Sequence, residues 1–239
     1  MSKARRASLI AILGVTLATC APGTAPDSQV ANPAQVSPTA TSPAPGGSDT
    51  WVAAGALNHH RVGTQLARLG TGEVLAVGDD ILCGIEYAET DTAELWGPAS
   101  GGWRVAAPLP AQRNGIILVA AADGDALITG GATSDYVAKS STVVFDDRTR
   151  EWSQSGLLNT ARIAFAAAAL SDGRVLVAGG LFIDVSNRGG ALGSAEMWDP
   201  DTGTWADIDG MSSPRVGAVA VTLSDGRILV AGGVRPGAV

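Results

Sequence analysis

The chain has little of what most chemistry needs. Two cysteines, Cys20 and Cys83, are all that 239 residues contain, too few for a disulfide framework to hold the fold. The two histidines stand together as His59-His60. Neighbours on an extended segment point opposite ways, so one ion would not take both, and no third histidine completes a zinc set. Tyrosine is limited to Tyr87 and Tyr136, and there is neither a Gly-x-Ser-x-Gly elbow nor a phosphate-binding loop. The loop acids Asp79, Asp80, Glu86, Glu89 and Asp91 match no EF-hand spacing and read as solvated charge. The expectation is a chain with no metal site, no cofactor and no catalytic constellation.

Long apolar runs are missing too, with one exception. Lys3, Arg5 and Arg6 precede a run from Ala7 to Ala18, too short to span as a mature helix, and Leu17-Ala-Thr-Cys20 closes it with small residues before a cysteine. That ending resembles a bacterial lipoprotein lipobox. The resemblance implies a signal peptide over residues 1–20, a lipid on Cys20 and, because Ala21 is not an aspartate, an outer-membrane address in a Gram-negative cell. Thr19 is less usual before such a cysteine, which leaves an ordinary secretory signal cut nearby as the alternative. Either way the expected location is extracytoplasmic, in the cell envelope. Residues 21–50 are Pro, Ala, Ser, Thr and Gly with almost no bulky apolar side chain, a disordered linker by composition that would hold the folded part off a surface.

Basic charge is scarce as well. Without Lys3, Arg5 and Arg6 the 16 basic residues fall to 13 against 23 acidic ones, a net charge near -10. A nucleic-acid partner would want a basic stripe instead. About 190 residues remain from Trp51 onward, roughly what a single β domain with a sizeable core needs.

What is present is a repeat. Ser171-Asp-Gly-Arg-Val-Leu-Val-Ala-Gly-Gly180 returns as Ser224-Asp-Gly-Arg-Ile-Leu-Val-Ala-Gly-Gly233, with weaker copies at 122–131 and 70–78. Trp51, Trp103, Trp152 and Trp205 are spaced by 52, 49 and 53 residues, and Arg61, Arg113, Arg162 and Arg215 keep the same intervals. Each tryptophan is followed at the sixth place by Leu57, Leu109, Leu158 or Met211, and each arginine comes four residues later. A frame near 50 residues, rich in β signals, belongs to a propeller blade rather than a helical repeat. The expected repeats are 60–109, 110–158, 159–211 and an incomplete 212–239.

The third unit shows how a blade would form. Residues 163–170 are a small-residue strand suited to the crowded axis, and Ser171-Asp-Gly-Arg174 is a tight turn in which glycine supplies positive φ. Val175 to Ala178 form a second strand, apolar on both sides because blades pack face to face. The glycine pair then lets the backbone bend or a neighbour approach. Residues 181–193 read as a long irregular loop, 194–198 as the third strand, and Thr204-Trp205 opens the fourth after a turn in which Pro200 presets φ and Asp201 is expected to bond nearby amides. Trp205 would lie buried between blades.

A double glycine after an apolar strand (Gly130-Gly131, Gly179-Gly180, Gly232-Gly233), a strand ending near an aromatic and Asp-Pro, then tryptophan with its spaced Leu or Met and arginine, resembles the kelch repeat over residues 51–239. The resemblance implies an all-β, kelch-type β-propeller. Here it is partial, about three and a half blades, with Trp51 to Ala56 a stray strand that would close it as four. Unit one has Asp79 in place of the second glycine, and unit two has Thr142 where units one and three place Glu94 and Glu196. Exposed edges would make a second copy a candidate for completing the ring.

Fold type names no reaction. The arginines Arg61, Arg113, Arg162 and Arg215 open each first strand and would grip a carboxylate by bidentate bonds, or brace their own blades by bonding carbonyls and the glutamates Glu94 and Glu196. The function expected is a non-catalytic, membrane-tethered binding module. It would recognise a protein or glycan through the loops 79–92, 132–141 and 181–193, which link second to third strands. The alternative is a carbohydrate-active or galactose-oxidase-like kelch protein, or an inactive fragment of one. It lacks the copper-holding tyrosines and histidines, and Asp201-Thr-Gly-Thr-Trp205 is one residue short of a sialidase aspartate box.

Overall fold

The structure, a computed structural model, describes residues 53–235 apart from 60, 83–85, 89–90, 122 and 134. These lie in one compact unit, Ala40–Val239. The signal peptide, Cys20, the linker, Trp51 and ring closure through it fall outside the described residues.

The described residues are all-β, without a helix. In the first blade β1 (Val62–Arg68) and β2 (Val74–Leu82) form a hairpin, β3 (Glu86–Ala88) hangs on the end of β2, and β4 (Glu94–Gly97) and β5 (Gly102–Val105) complete the order β1-β2-β4-β5. The second blade is β6 (Ile117–Ala120), β7 (Ala126–Thr129), β8 (Ser141–Phe145) and β9 (Trp152–Leu157) in sequence order. The third joins β10 (Ala166–Ala169) and β11 (Val175–Ala178), sets aside a hairpin of β12 (Leu181–Ile183) and β13 (Gly189–Ala191), then adds β14 (Ala195–Asp199) and β15 (Thr204–Ile208). The fourth has two strands, β16 (Val216–Thr222) and β17 (Ile228–Val234). This is a partial β-propeller, its blades antiparallel sheets. All pairings are antiparallel.

The core lies between blades rather than inside one. Side chains alternate across a strand, so β7 sends Ala126 and Ile128 into a layer with Leu75, Val77 and Leu95 of the first blade. It sends Leu127 the other way, among Val175, Val177, Trp198 and Trp205 of the third. The next strand of this kind repeats the division, with Leu176 and Ala178 of β11 facing Ile228 and Val230 of β17. Hence β7 and β11 are buried along their whole length, and each large side chain so placed contributes about 1.5–3 kcal/mol.

Innermost strands stand side by side, β1 against β6, β6 against β10 and β10 against β16. Their small residues, Ala166, Ala167, Ala169, Ala218 and Ala220 among them, line an axial groove of about 480 Å³.

The turns between first and second strands are closed alike. Leu69 N bonds Glu73 O and Gly72 N bonds Leu69 O, and the pattern returns at Ala121, Leu170 and Leu223. Asp123, Asp172 and Asp225 each accept the amide two residues on. Blade one has Thr71 there instead, and its amide and hydroxyl reach across to the buried Asp147 at 2.7 and 3.0 Å. Asp147 also binds Arg150, which bridges back to Glu73. Arg150 sits at φ 65°, where Gly101 and Gly203 stand in the sister turns; its ion pairs offset a conformation that side chains rarely adopt.

The glycine pairs have a steric cause. Gly179 and Gly180 lie at φ 70° and 96°, and a Cβ would meet Arg215 O or Ile163 O at 2.6 Å. The Gly180 amide donates to Arg215 O at 2.8 Å, tying one blade to the next. Unit one, with Asp79 as its second residue, runs β2 on to Leu82 instead.

Some sequence expectations need correction. The first strand of unit three is Ala166–Ala169, not 163–170, because Ala164 takes φ 50° and Ile163 pairs separately with Leu181. Residues 181–193 are not irregular, since they hold the β12–β13 hairpin, turned by Asp184, which accepts the Ser186 and Arg188 amides. In the turn before Trp205 the bonding carboxylate is Asp199, which takes the Asp201 amide at 2.8 Å.

Candidate functional site

One face carries the links between blades and the loops after each second strand. There the arginines meet the third strands. The Arg162 side chain, fully buried, donates from Nη1 to Gly179 O at 2.9 Å and Ser194 O at 3.2 Å, and from Nη2 to Glu196 Oε1 at 2.6 Å. Glu196, also fully buried, accepts the Asn159 and Thr160 amides at 2.7 and 3.1 Å. One carboxylate thus ties the incoming link, the first strand and the third strand of its blade.

Blade one repeats these bonds. Arg61 Nη1 donates to Gly78 O and Thr92 O, Nη2 to Glu94 Oε1 at 3.2 Å, and the Asn58 and His59 amides donate to Glu94 at 2.7 and 3.1 Å. Burial opposes the Glu94 anion, yet the Asn58 amide and carboxamide, the His59 amide and Arg61 together hold its carboxyl below the ordinary value near 4.5.

Blade two departs in two linked places. Thr142 replaces the glutamate, bonding Thr129 Oγ1 at 2.8 Å and accepting Trp205 Nε1 at 2.9 Å. Pro110, three residues before Arg113, has no amide hydrogen to offer a carboxylate. Arg113 keeps its carbonyl acceptors, Gly130 O and Ser141 O. Burial pushes the pKa of its guanidinium down. In blade four Arg215 donates to Gly232 O at 2.7 Å.

The contacts of Arg61, Arg113 and Arg162 are therefore internal and brace the blades. The tryptophans link blades too: Trp152 Nε1 donates to Ala107 O, Trp198 Nε1 to Ser155 Oγ, and Trp205 is buried with its Nε1 on Thr142. Trp103 and Trp152 are half-buried.

The loops on this face form one surface across blades two and three. Ala138 N donates to Ile183 O at 3.0 Å, joining the 132–141 loop to the hairpin. Tyr136 at the tip of the first is 45% exposed, and Val185 at the tip of the second 87%. Neither was marked by sequence reasoning, although Asp184-Val-Ser-Asn187, with a turn-forming acid and an asparagine now at φ 57°, was a legible signal. His59 serves the Glu94 brace, His60 and Cys83 lie outside the described residues, and among the described residues no three His, Cys, Asp or Glu side chains gather as a metal site. No described helix is long and apolar enough to cross a membrane.

Repeated modules, three of them with four-stranded sheets and three with a glycine pair at the end of the second strand, packed with indoles between them, set the comparison. The chain is similar to kelch-repeat proteins. An F-box/kelch-repeat protein of Arabidopsis thaliana is 33% identical over 129 residues, 53% of this chain and 33% of that protein. Kelch-like protein 35 of Mus musculus is 26% identical over 185 residues, 77% of this chain and 29% of the relative. Kelch repeat and BTB domain-containing protein 12 of Danio rerio is 27% identical over 188 residues, covering 72% and 30%. The chain spans about a third of the length of these curated relatives. No family model matches it.

Proposed function

We propose that the chain is a non-catalytic kelch-repeat binding module, tethered outside the cytoplasm, that recognises a protein or glycan through the loop face of its blades. The observation that carries this is the joined surface of the 132–141 loop and the β12–β13 hairpin, which presents Tyr136 and Val185 outward on a braced scaffold. Exposed aromatic and aliphatic tips held on a rigid frame suit recognition. Similarity to kelch-repeat proteins supports a protein-interaction role. The lipobox-like ending at Cys20 supports the tether.

The full chain probed against glycan and peptide arrays tests the reading. Binders are expected, and Tyr136→Ser with Val185→Ser should abolish them while leaving the unfolding free energy within about 0.5 kcal/mol. Binding unaffected by both changes would contradict the loop-face assignment. Bound copper in stoichiometric amount would contradict the non-catalytic one.

A further inference from the structure

Blade two holds a buried cation with no counter-charge. Arg113 is 1% exposed. Its Nη1 donates to Gly130 O at 3.4 Å and to Ser141 O at 3.1 Å. Among the described residues its buried Nε and its Nη2 have no acceptor, and no acid pairs with it. In blade three the same nitrogens are satisfied, Nε of Arg162 on Thr160 O and Nη2 on Ser194 Oγ and Glu196 Oε1. A guanidinium stays charged at ordinary pH, and burial alone lowers the pKa of this one. An uncompensated buried charge is costly.

The backbone beside this cation keeps the form that binds a carboxylate elsewhere. The chain bends at 110–111 as it does at 58–59 and 159–160. In blade three Thr160 N and Arg162 Nη2 meet on one oxygen, Glu196 Oε1, and in blade one His59 N and Arg61 Nη2 meet on Glu94 Oε1. Ala111 N holds the corresponding place, two residues before Arg113, and has no acceptor among the described residues. Lys139 Nζ donates to Gln112 O at 2.7 Å, so a second positive charge stands at the same link.

These donors belong to a complete blade. Its strands β6, β7, β8 and β9 are paired in order, and its two faces pack against blades one and three.

We propose that the Nε–Nη2 edge of Arg113, with Ala111 N, binds a small, singly charged anion, a halide or a short carboxylate, where the sister blades place a glutamate carboxylate. The guanidinium edge offers two parallel donors, the geometry that suits such an ion. Size and charge follow from the donor set. Pro110 removes one of the two amides that hold glutamate elsewhere, and a chain of formal net charge -7 disfavours a dianion such as sulfate or phosphate. Arg113 Nη1 holds Gly130 O and Ser141 O, which bracket the 132–141 loop. An anion that fixes the guanidinium therefore also steadies the base of that loop. The site is separate from the Tyr136 and Val185 tips, so each assignment can fail without the other.

The test uses the full chain and two probes, chloride and formate, at constant ionic strength made up with gluconate, whose polyol chain is too bulky for a buried place. Chlorine NMR line width, the urea midpoint and the Ala111 amide resonance are read together. Saturable broadening by chloride, its reversal by formate, a saturable rise in the midpoint and a shift of the Ala111 amide are expected. The tighter of the two probes assigns the occupant as halide or carboxylate. Arg113→Met should weaken binding at least about tenfold, the effect of removing a hydrogen bond to a charged group, and abolish the anion dependence of the midpoint. Line width and midpoint that saturate with neither anion, or an Ala111 amide that does not move, overturn the proposal on the unaltered chain, whatever the stability of the variant. Sulfate binding more tightly than both probes, or binding retained in Arg113→Met, overturns it too.

Discussion

Replacing Glu196 by alanine should be among the most damaging single changes in the third blade. The carboxylate is fully buried and receives Asn159 N at 2.7 Å, Thr160 N at 3.1 Å and Arg162 Nη2 at 2.6 Å. Its removal leaves a buried guanidinium without its counter-charge and two amides without an acceptor. Breaking a buried pair in this way costs about 3–5 kcal/mol, a large part of the roughly 5–15 kcal/mol that separates folded from unfolded domains. With a urea slope of about 1–3 kcal/mol/M, the midpoint should fall by about 1 M or more at unchanged slope. Thr142→Ala in blade two is the internal control. It removes two neutral hydrogen bonds and should cost about 1–3 kcal/mol. The double variant Glu196→Ala with Arg162→Met should recover part of the loss, because an absent cation needs no partner. A loss below about 1 kcal/mol for Glu196→Ala, or no recovery in the double variant, would refute the brace as a source of stability.

Other outcomes follow from the same contacts. Because the folded-state pKa of Glu94 is depressed, its contribution is fully present above its ordinary value near 4.5 and is lost as pH falls through the lower folded value; urea midpoints between pH 7 and 3 should show that decline, and Glu94→Gln should flatten it. Burial, and then repulsion from Asp123, Asp146 and Asp147, raises the pKa of Asp125, although it accepts the Asp147 amide at 2.9 Å. Asp125→Asn keeps an acceptor and removes the charge, so the thermal midpoint at pH 7 should hold or rise, and a fall would count against the assignment. Gly180→Ala sets a Cβ 2.6 Å from Ile163 O at φ 96° and should cost at least about 1–3 kcal/mol in urea unfolding.

Much of this blade plan was legible in the residues. The tryptophan and arginine ladders fix the frame, and Val175 to Ala178 is the strand that its apolar run announced. Asp-Gly turns are equally local, since the backbone there needs a glycine at positive φ. Less local features were harder to read. The late start of the first strand of unit three at Ala166 depends on Ala164 taking a left-handed conformation that alanine alone does not advertise. Arginine and glutamate were visible as alternatives, ligand grip or brace, because sequence spacing does not tell which way a guanidinium points. The role of Pro110 became clear only once the amides facing Glu94 and Glu196 were seen as a set. The Tyr136 and Val185 surface depends on one hydrogen bond between loops, Ala138 to Ile183, that no repeat pattern encodes.

Amide hydrogen exchange compared strand by strand is the measurement nearest to the central claim, that like blades stack face to face and bury their second strands between them. The β7 and β11 amides, buried and paired on both sides, should exchange slowest, and those of β17, exposed along most of its length, far faster. Protection of β17 equal to that of β11 in the free chain would contradict the account.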